Sequence, residues 1–253
     1  LEVLAEAGMR FTILHPRQAA RVRPAGAGQD AWTPVTQDTL LPTRPYRWRS
    51  KRSERQLAIL FFHKSLHDSI VAGDAFAAAD SLYRKIFSRT HPDNSTQLIS
   101  IAADGEFFGH HHRKGAAALA QTFFLAKQEG FTIVNYAQYL ELFAPPQEVE
   151  IAPKTSWSCP HGLGRWTEDC GCRSPHLHKW RQTWRAPLRT ALDSLAAKLD
   201  RVYESKAGSY FQDFWRARER YVQRLADVSP KNTEDYLARE ALAPLSKQQQ
   251  REA

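Results

Sequence analysis

The 253-residue chain is poor in cysteine, with three, and in methionine, with one. A small, odd number of thiols excludes a secreted scaffold held by disulfides, so a reducing cytoplasm is the expected compartment. The methionine is Met9, and the chain opens inside a helix-like run of Leu1, Val3, Leu4 and Ala7. That run, and the polar stretch after Pro230, read as parts of a longer protein. No apolar stretch approaches a membrane span and no signal peptide is visible, so no membrane partner is expected. Blocks of like charge are missing too. The net charge is +8, but the basic residues are scattered. Their densest group, residues 44–55, lies in a Pro/Arg/Ser loop on no helical face. A solvated arginine-rich surface accounts for this better than a nucleic-acid partner does.

What is present is a repeated theme of a short apolar run followed by an amphipathic one. Runs at residues 10–14, 57–62, 98–103 and 131–134 read as strands. Helical spacing follows at 70–86, 116–128 and 137–143, and a first helix covers 1–7. Apolar strands without polar alternation, separated by helices, argue a parallel sheet buried on both faces. The class is therefore α/β, with a barrel or a doubly wound sheet as the choices. Residues 21–51, rich in Pro, Gly, Arg and Thr, read as a long loop over the C-terminal rim of the sheet. From about residue 176 two long helices follow, at 180–203 and 209–226. The first carries Trp184, Leu188, Leu192, Leu195, Leu199 and Val202 on one face. The expected domains are 1–175 and a helical region, 176–253.

The chemistry concentrates in two segments. Residues 98–112 read L-I-S-I-A-A-D-G-E-F-F-G-H-H-H. An apolar strand that ends in Asp104, then Gly105, Glu106 and Gly109, places a carboxylate at a strand tip, where α/β enzymes keep catalytic groups. Asp104 or Glu106, flanked by Phe107 and Phe108, reads either as a desolvated general acid or as the N-cap of the following helix. His110, His111 and His112 cannot all face one way; one or two suit sugar hydroxyls or a metal, and the rest belong to the surface. Residues 156–172 read S-W-S-C-P-H-G-L-G-R-W-T-E-D-C-G-C. Trp157 and Trp166 read as a wall for stacking sugars, or as loop packing. Cys159, His161, Cys170 and Cys172 offer four ligands that zinc accepts, although C-x-H and C-x-C depart from the common C-x2-C spacing. His15, His63, His67 and Asp68 sit at or just past strand ends.

With these two motifs the chain resembles glycoside hydrolase family 57 over roughly residues 1 to 200, in the branch annotated loosely as α-amylase or α-mannosidase-like, with an uncharacterised region after the barrel. The resemblance implies the C-terminal portion of an incomplete (β/α)7 barrel with parallel strands, followed by a helical region. It implies a retaining mechanism on an oligo- or polysaccharide, an α-glucan or related α-glycoside, with no cofactor. The family's general acid/base falls on Asp104. By the same resemblance substrate contacts fall on His110, His111, Trp157 and His161, and Glu106 and Trp166 are expected to join them as substrate-binding residues. Retaining chemistry needs two carboxyls about 5 Å apart, and no residue here matches the family's nucleophile motif. The nucleophile glutamate is thus expected upstream, and this polypeptide alone is expected to be inactive.

Two other readings stay open. A metal-dependent carbohydrate deacetylase would use Asp104, His110 and His111 as ligands of a water-activating ion. A glycan- or polyanion-binding module would rest on the net charge and the seven tryptophans.

Overall fold

The computed structural model describes residues 1–90, 96–172 and 179–252. Among them six strands form one open sheet: β1 (Phe11–Leu14), β2 (Ala19–Pro24), β3 (Thr33–Pro34), β4 (Tyr46–Arg49), β5 (Gln56–Phe61) and β6 (Gln147–Ile151), in the order β1-β5-β4-β6-β2-β3. The α/β class holds, but the sheet is mixed and does not close. β1 runs parallel to β5, with Phe11 opposite Ala58 and Leu14 opposite Phe61. β4 runs parallel to β6, while β2–β3, β2–β6 and β4–β5 are antiparallel.

The differences from a purely parallel sheet have local causes. Residues 21–51 supply β3 and β4 and most of β2, where a rim loop was expected. Their arginines are not loose surface charge. Arg23 lies opposite Glu148 in the β2–β6 register and is bonded to it, and Arg21 likewise to Glu150 at 2.7 Å. Facing opposite charges stabilise an antiparallel pair, and no apolar run is needed to announce such a strand. Two expected strands are not formed. Residues 98–103 make single backbone bonds, Leu98 N–H to Thr43 O and His63 N–H to Ser100 O, but no ladder. Residues 131–134 also stay out of the sheet, with Phe131 and Ile133 exposed.

Five helices accompany the sheet: α1 (Glu2–Glu6), α2 (Lys64–Ala72), α3 (Ser81–Phe87), α4 (Gly115–Gln128) and α5 (Tyr136–Leu142). The single helix expected at 70–86 is two, because Gly73 takes a left-handed φ of 87° and ends α2. Only glycine adopts that conformation without strain.

Two units emerge by compactness, Leu1–Leu163 and Gly164–Ala253. The expected boundary at 175/176 lies outside the described residues. In the first unit Leu57, Ile59 and Phe61 of β5 pack with Tyr46, Val149, Ala19 and Leu40. Each fully buried Leu, Ile or Phe contributes about 1.5–3 kcal/mol. Burial pushes the Tyr46 phenol up to about 12, and its hydroxyl donates to Leu41 O at 2.9 Å. A second cluster joins Leu66 and Ile70 of α2, Phe76 of the turn that follows, Leu82 and Ile86 of α3, and Ala118 of α4.

The second unit is helical: α6 (Gly164–Thr167), α7 (Arg185–Ala207), α8 (Phe214–Ala226), α9 (Pro230–Glu240) and α10 (Gln249–Glu252). Its core is Ala207, Phe211, Ala217 and Tyr236. Buried Glu240 is bonded by Arg220 and Arg239, each at 2.9 Å. Leu188, Leu192, Leu195, Leu199 and Val202, the expected apolar face of α7, are all exposed. No helix among the described residues is long and apolar enough to cross a membrane.

Candidate functional site

The C-terminal tips of the parallel neighbours β1 and β5 deliver His15 and Phe62. His15 is 4% exposed. Its Nδ1 accepts from Arg17 N–H at 3.0 Å, and Arg17 Nη2 lies 3.2 Å from Nε2. Burial first, and the Arg17 guanidinium second, lower its pKa from 6.5 to about 4. Phe62 meets His15 edge-on at 5.2 Å and stacks on Trp157, with centroids 4.2 Å apart and planes 21° from parallel. Trp157 is 37% exposed, so one part of its indole is packed and the rest faces outward. His67 of α2 closes the cluster 5.3 Å from Phe62.

His67 also reaches the other candidate segment. Its Nδ1 donates to Ala102 O at 2.7 Å, two residues before Asp104. Asp104 has extended backbone, φ −62° and ψ 138°, ahead of a short 3-10 turn (Gly105–Phe108), and its side chain caps nothing. It is exposed, and it is not among the residues lining the cavities described below. Neither sequence expectation, a desolvated acid or an N-cap, matches this environment. The missing ladder explains it: without neighbours on both sides, residues 98–103 cannot drive their tip into a closed interior.

The turn after Asp104 is held from below. Gly115 opens α4 so tightly against it that a Cβ would lie 2.6 Å from Phe107 O and 2.8 Å from Phe108 Cα. The three histidines then separate as their spacing requires. His112 is structural: its ring packs 5.2 Å from Phe76, fills the space above Gly73, and Nε2 lies 3.2 Å from Val71 O. His111 and His110 are exposed. His111 Nε2 lies 3.4 Å from the Glu106 carboxylate, and the two imidazoles are 4.9 Å apart. Glu106 and His111 are therefore brought together.

A cavity of about 510 Å³, within the range of small-ligand pockets, is lined by Arg17, Gln37, Lys64, Ser156 and Ser158 among others, but not by Trp157. A second, of about 440 Å³, is lined by His63, Lys64, Asp68, Arg89 and Thr43, whose buried hydroxyl has no hydrogen-bond partner. Burial, then the charge of Arg89, lowers the pKa of His63. Sequence reasoning flagged His15, His63, His67 and Asp68 only as residues near strand ends. It missed Phe62, Arg17 and Thr43; for Phe62 the signal was the place of an aromatic one step past an apolar strand.

His161 and Trp166 are exposed, Trp166 on α6. Cys159 is buried, with Sγ 3.7 Å from His161 Nδ1. Asp104, His110 and His111 are not found as a three-ligand group among the described residues.

Residues 180–253 match a family described as "Domain of unknown function (DUF3536)". No curated protein matches the chain. Among solved structures, a 4-alpha-glucanotransferase from Thermococcus litoralis is similar at 15% identity and a TM-score of 0.40, over 66% of this chain and 22% of that one. The chain thus spans less than a quarter of that enzyme's length.

Proposed function

We propose that this chain is part of a retaining glycoside hydrolase or glucanotransferase acting on α-glucans or related α-glycosides. The observation that carries the reading is Trp157. Its indole is stacked on Phe62 and the residue stays 37% exposed, and an exposed indole suits the apolar face of a pyranose. The cavity lined by its chain neighbours Ser156 and Ser158 also holds Arg17, Gln37 and Lys64, polar groups that suit sugar hydroxyls. The His67–Ala102 bond ties this wall to the segment that ends in Asp104.

In this reading Asp104 is the general acid/base, and Glu106, His110 and His111 hold hydroxyls beside it. The second carboxyl of the retaining pair is assigned to a glutamate upstream of this sequence, since none here fits the motif. The matched domain at 180–253 agrees in position with the uncharacterised region that the motif resemblance implies. Hydrolysis or transfer then follows from how well the site excludes water from the glycosyl-enzyme.

The test is turnover of an α-1,4-glucan by a polypeptide extended at its N-terminus. Asp104→Asn there should cut kcat by about 10²- to 10⁴-fold and leave oligosaccharide binding in place. The 253-residue chain should bind without turning over. An active 253-residue chain, or an undiminished Asp104→Asn, overturns the assignment.

A further inference from the structure

Arg17 stands two residues past His15, in a 3-10 turn (Pro16–Gln18) that follows β1. The turn is fixed from both ends. His15 Nδ1 accepts from Arg17 N–H, and His15 N–H donates to Gln18 Oε1 at 3.0 Å. Pro16 and Gln18 are buried, and Arg17 between them is half-buried. Its guanidinium lies along the His15 ring, with Nε 3.3 Å from Nδ1 and Nη2 3.2 Å from Nε2. Burial keeps that imidazole neutral, so it meets the guanidinium without offsetting its charge. Among the described residues no carboxylate pairs with Arg17. A cation withdrawn from water is costly without a counter-charge.

The cavity of about 510 Å³ that Arg17 lines has the same imbalance. Two cations, Arg17 and Lys64, line it with the amide of Gln37 and the hydroxyls of Thr155, Ser156 and Ser158, and no acid does. Asp68, the acid bonded to Lys64, lines the neighbouring cavity instead. The loop after β6 supplies firm wall. Ser156 donates to Cys159 O at 3.2 Å and to Gly162 O at 2.9 Å. Gly162 has φ 70°, and a Cβ there would lie 2.3 Å from Lys154 O. The volume far exceeds a bare oxyanion, so the charge belongs on a larger ligand.

We propose that this cavity binds an oxyanion carried on a sugar, a phosphate ester or a carboxylate, and that Arg17 is its anchor. The saccharide is taken from the functional reading above; the charge is taken from Arg17. A guanidinium fork meets either group with two parallel N–H donors. The fixed turn means that little freedom is lost on binding. Lys64, its charge shared with Asp68, adds a weaker attraction. Gln37 and the hydroxyls are left for the neutral part of the ligand. The glycoside is thereby narrowed to one that bears acid groups.

The experiment is calorimetric titration of the 253-residue chain with glucose 6-phosphate, glucuronate, glucose, inorganic phosphate and maltotriose. We expect one of the two acidic sugars to bind at least about tenfold more tightly than glucose, and more tightly than inorganic phosphate. Which of the two prevails tells a phosphate ester from a carboxylate. The preference should shrink as salt is raised. Arg17→Met should abolish it. Arg17→Lys, which keeps the charge and loses the fork, should retain part of it. No preference over glucose in the wild type, a full preference in Arg17→Met, or inorganic phosphate bound as tightly as either sugar overturns the proposal. The wild-type comparison decides even where a variant fails to fold. Maltotriose bound without any acidic preference sinks this proposal alone. An Arg17-dependent acidic preference without maltotriose binding sinks the neutral-glucan reading alone.

Discussion

The Trp157 indole lies on the Phe62 ring at 4.2 Å, joining a loop after β6 to the tip of β5. Trp157→Ala should lower stability by about 1 kcal/mol, the worth of such a pair beyond its buried area. Sugar binding should fall further than stability does. Calorimetry with a maltooligosaccharide, beside a urea titration, separates the two. Equal affinity in wild type and variant would remove Trp157 from the binding wall.

His15 predicts a loss of stability on mild acidification. Its pKa is depressed in the folded chain to about 4 and returns to 6.5 on unfolding. The unfolded state therefore binds more protons between these values, and stability falls as pH drops from about 6.5 towards about 4. His63 shifts in the same direction. His15→Asn should flatten the pH dependence of Tm in that window, with the remainder due to His63.

Glu148 governs a lower window. Burial opposes its ionisation, but hydrogen bonds from Arg49 and Arg23 outweigh this and hold its carboxyl below the ordinary range. Its contribution is present above the ordinary carboxylate pKa and is lost as pH falls through the lowered value. Glu148→Ala leaves Arg23, only 14% exposed, without its partner. The expected cost is about 3 kcal/mol, read from the shift in the urea midpoint.

Gly115→Ala should perturb the turn that carries Glu106. The new methyl would meet backbone atoms of Phe107 and Phe108, which cannot step aside. A loss of about 1–3 kcal/mol is expected. Wild-type stability in this variant would show that the α4 contact is looser than described.

Sequence reading located the elements that bury a continuous apolar face. β5, β1, α4 and α5 stand close to their expected places because their stabilising contacts are apolar and periodic. It failed where pairing is polar or absent. β2 and β6 are held by Arg–Glu pairs across the ladder, which no single segment reveals. Residues 98–103 have a strand's composition but too few partners for a ladder. The motif residues were legible as chemistry, yet Asp104 faces outward, which composition could not foretell.

By itself the sequence determined the α/β class, the two motif-bearing segments, and the separation of the three histidines, since neighbouring side chains diverge under any regular backbone. Only the tertiary structure decided that Trp157 meets Phe62 and that His67 anchors Ala102. These are contacts between residues whose spacing along the chain carries no periodic signal, so only the folded path of the backbone sets them.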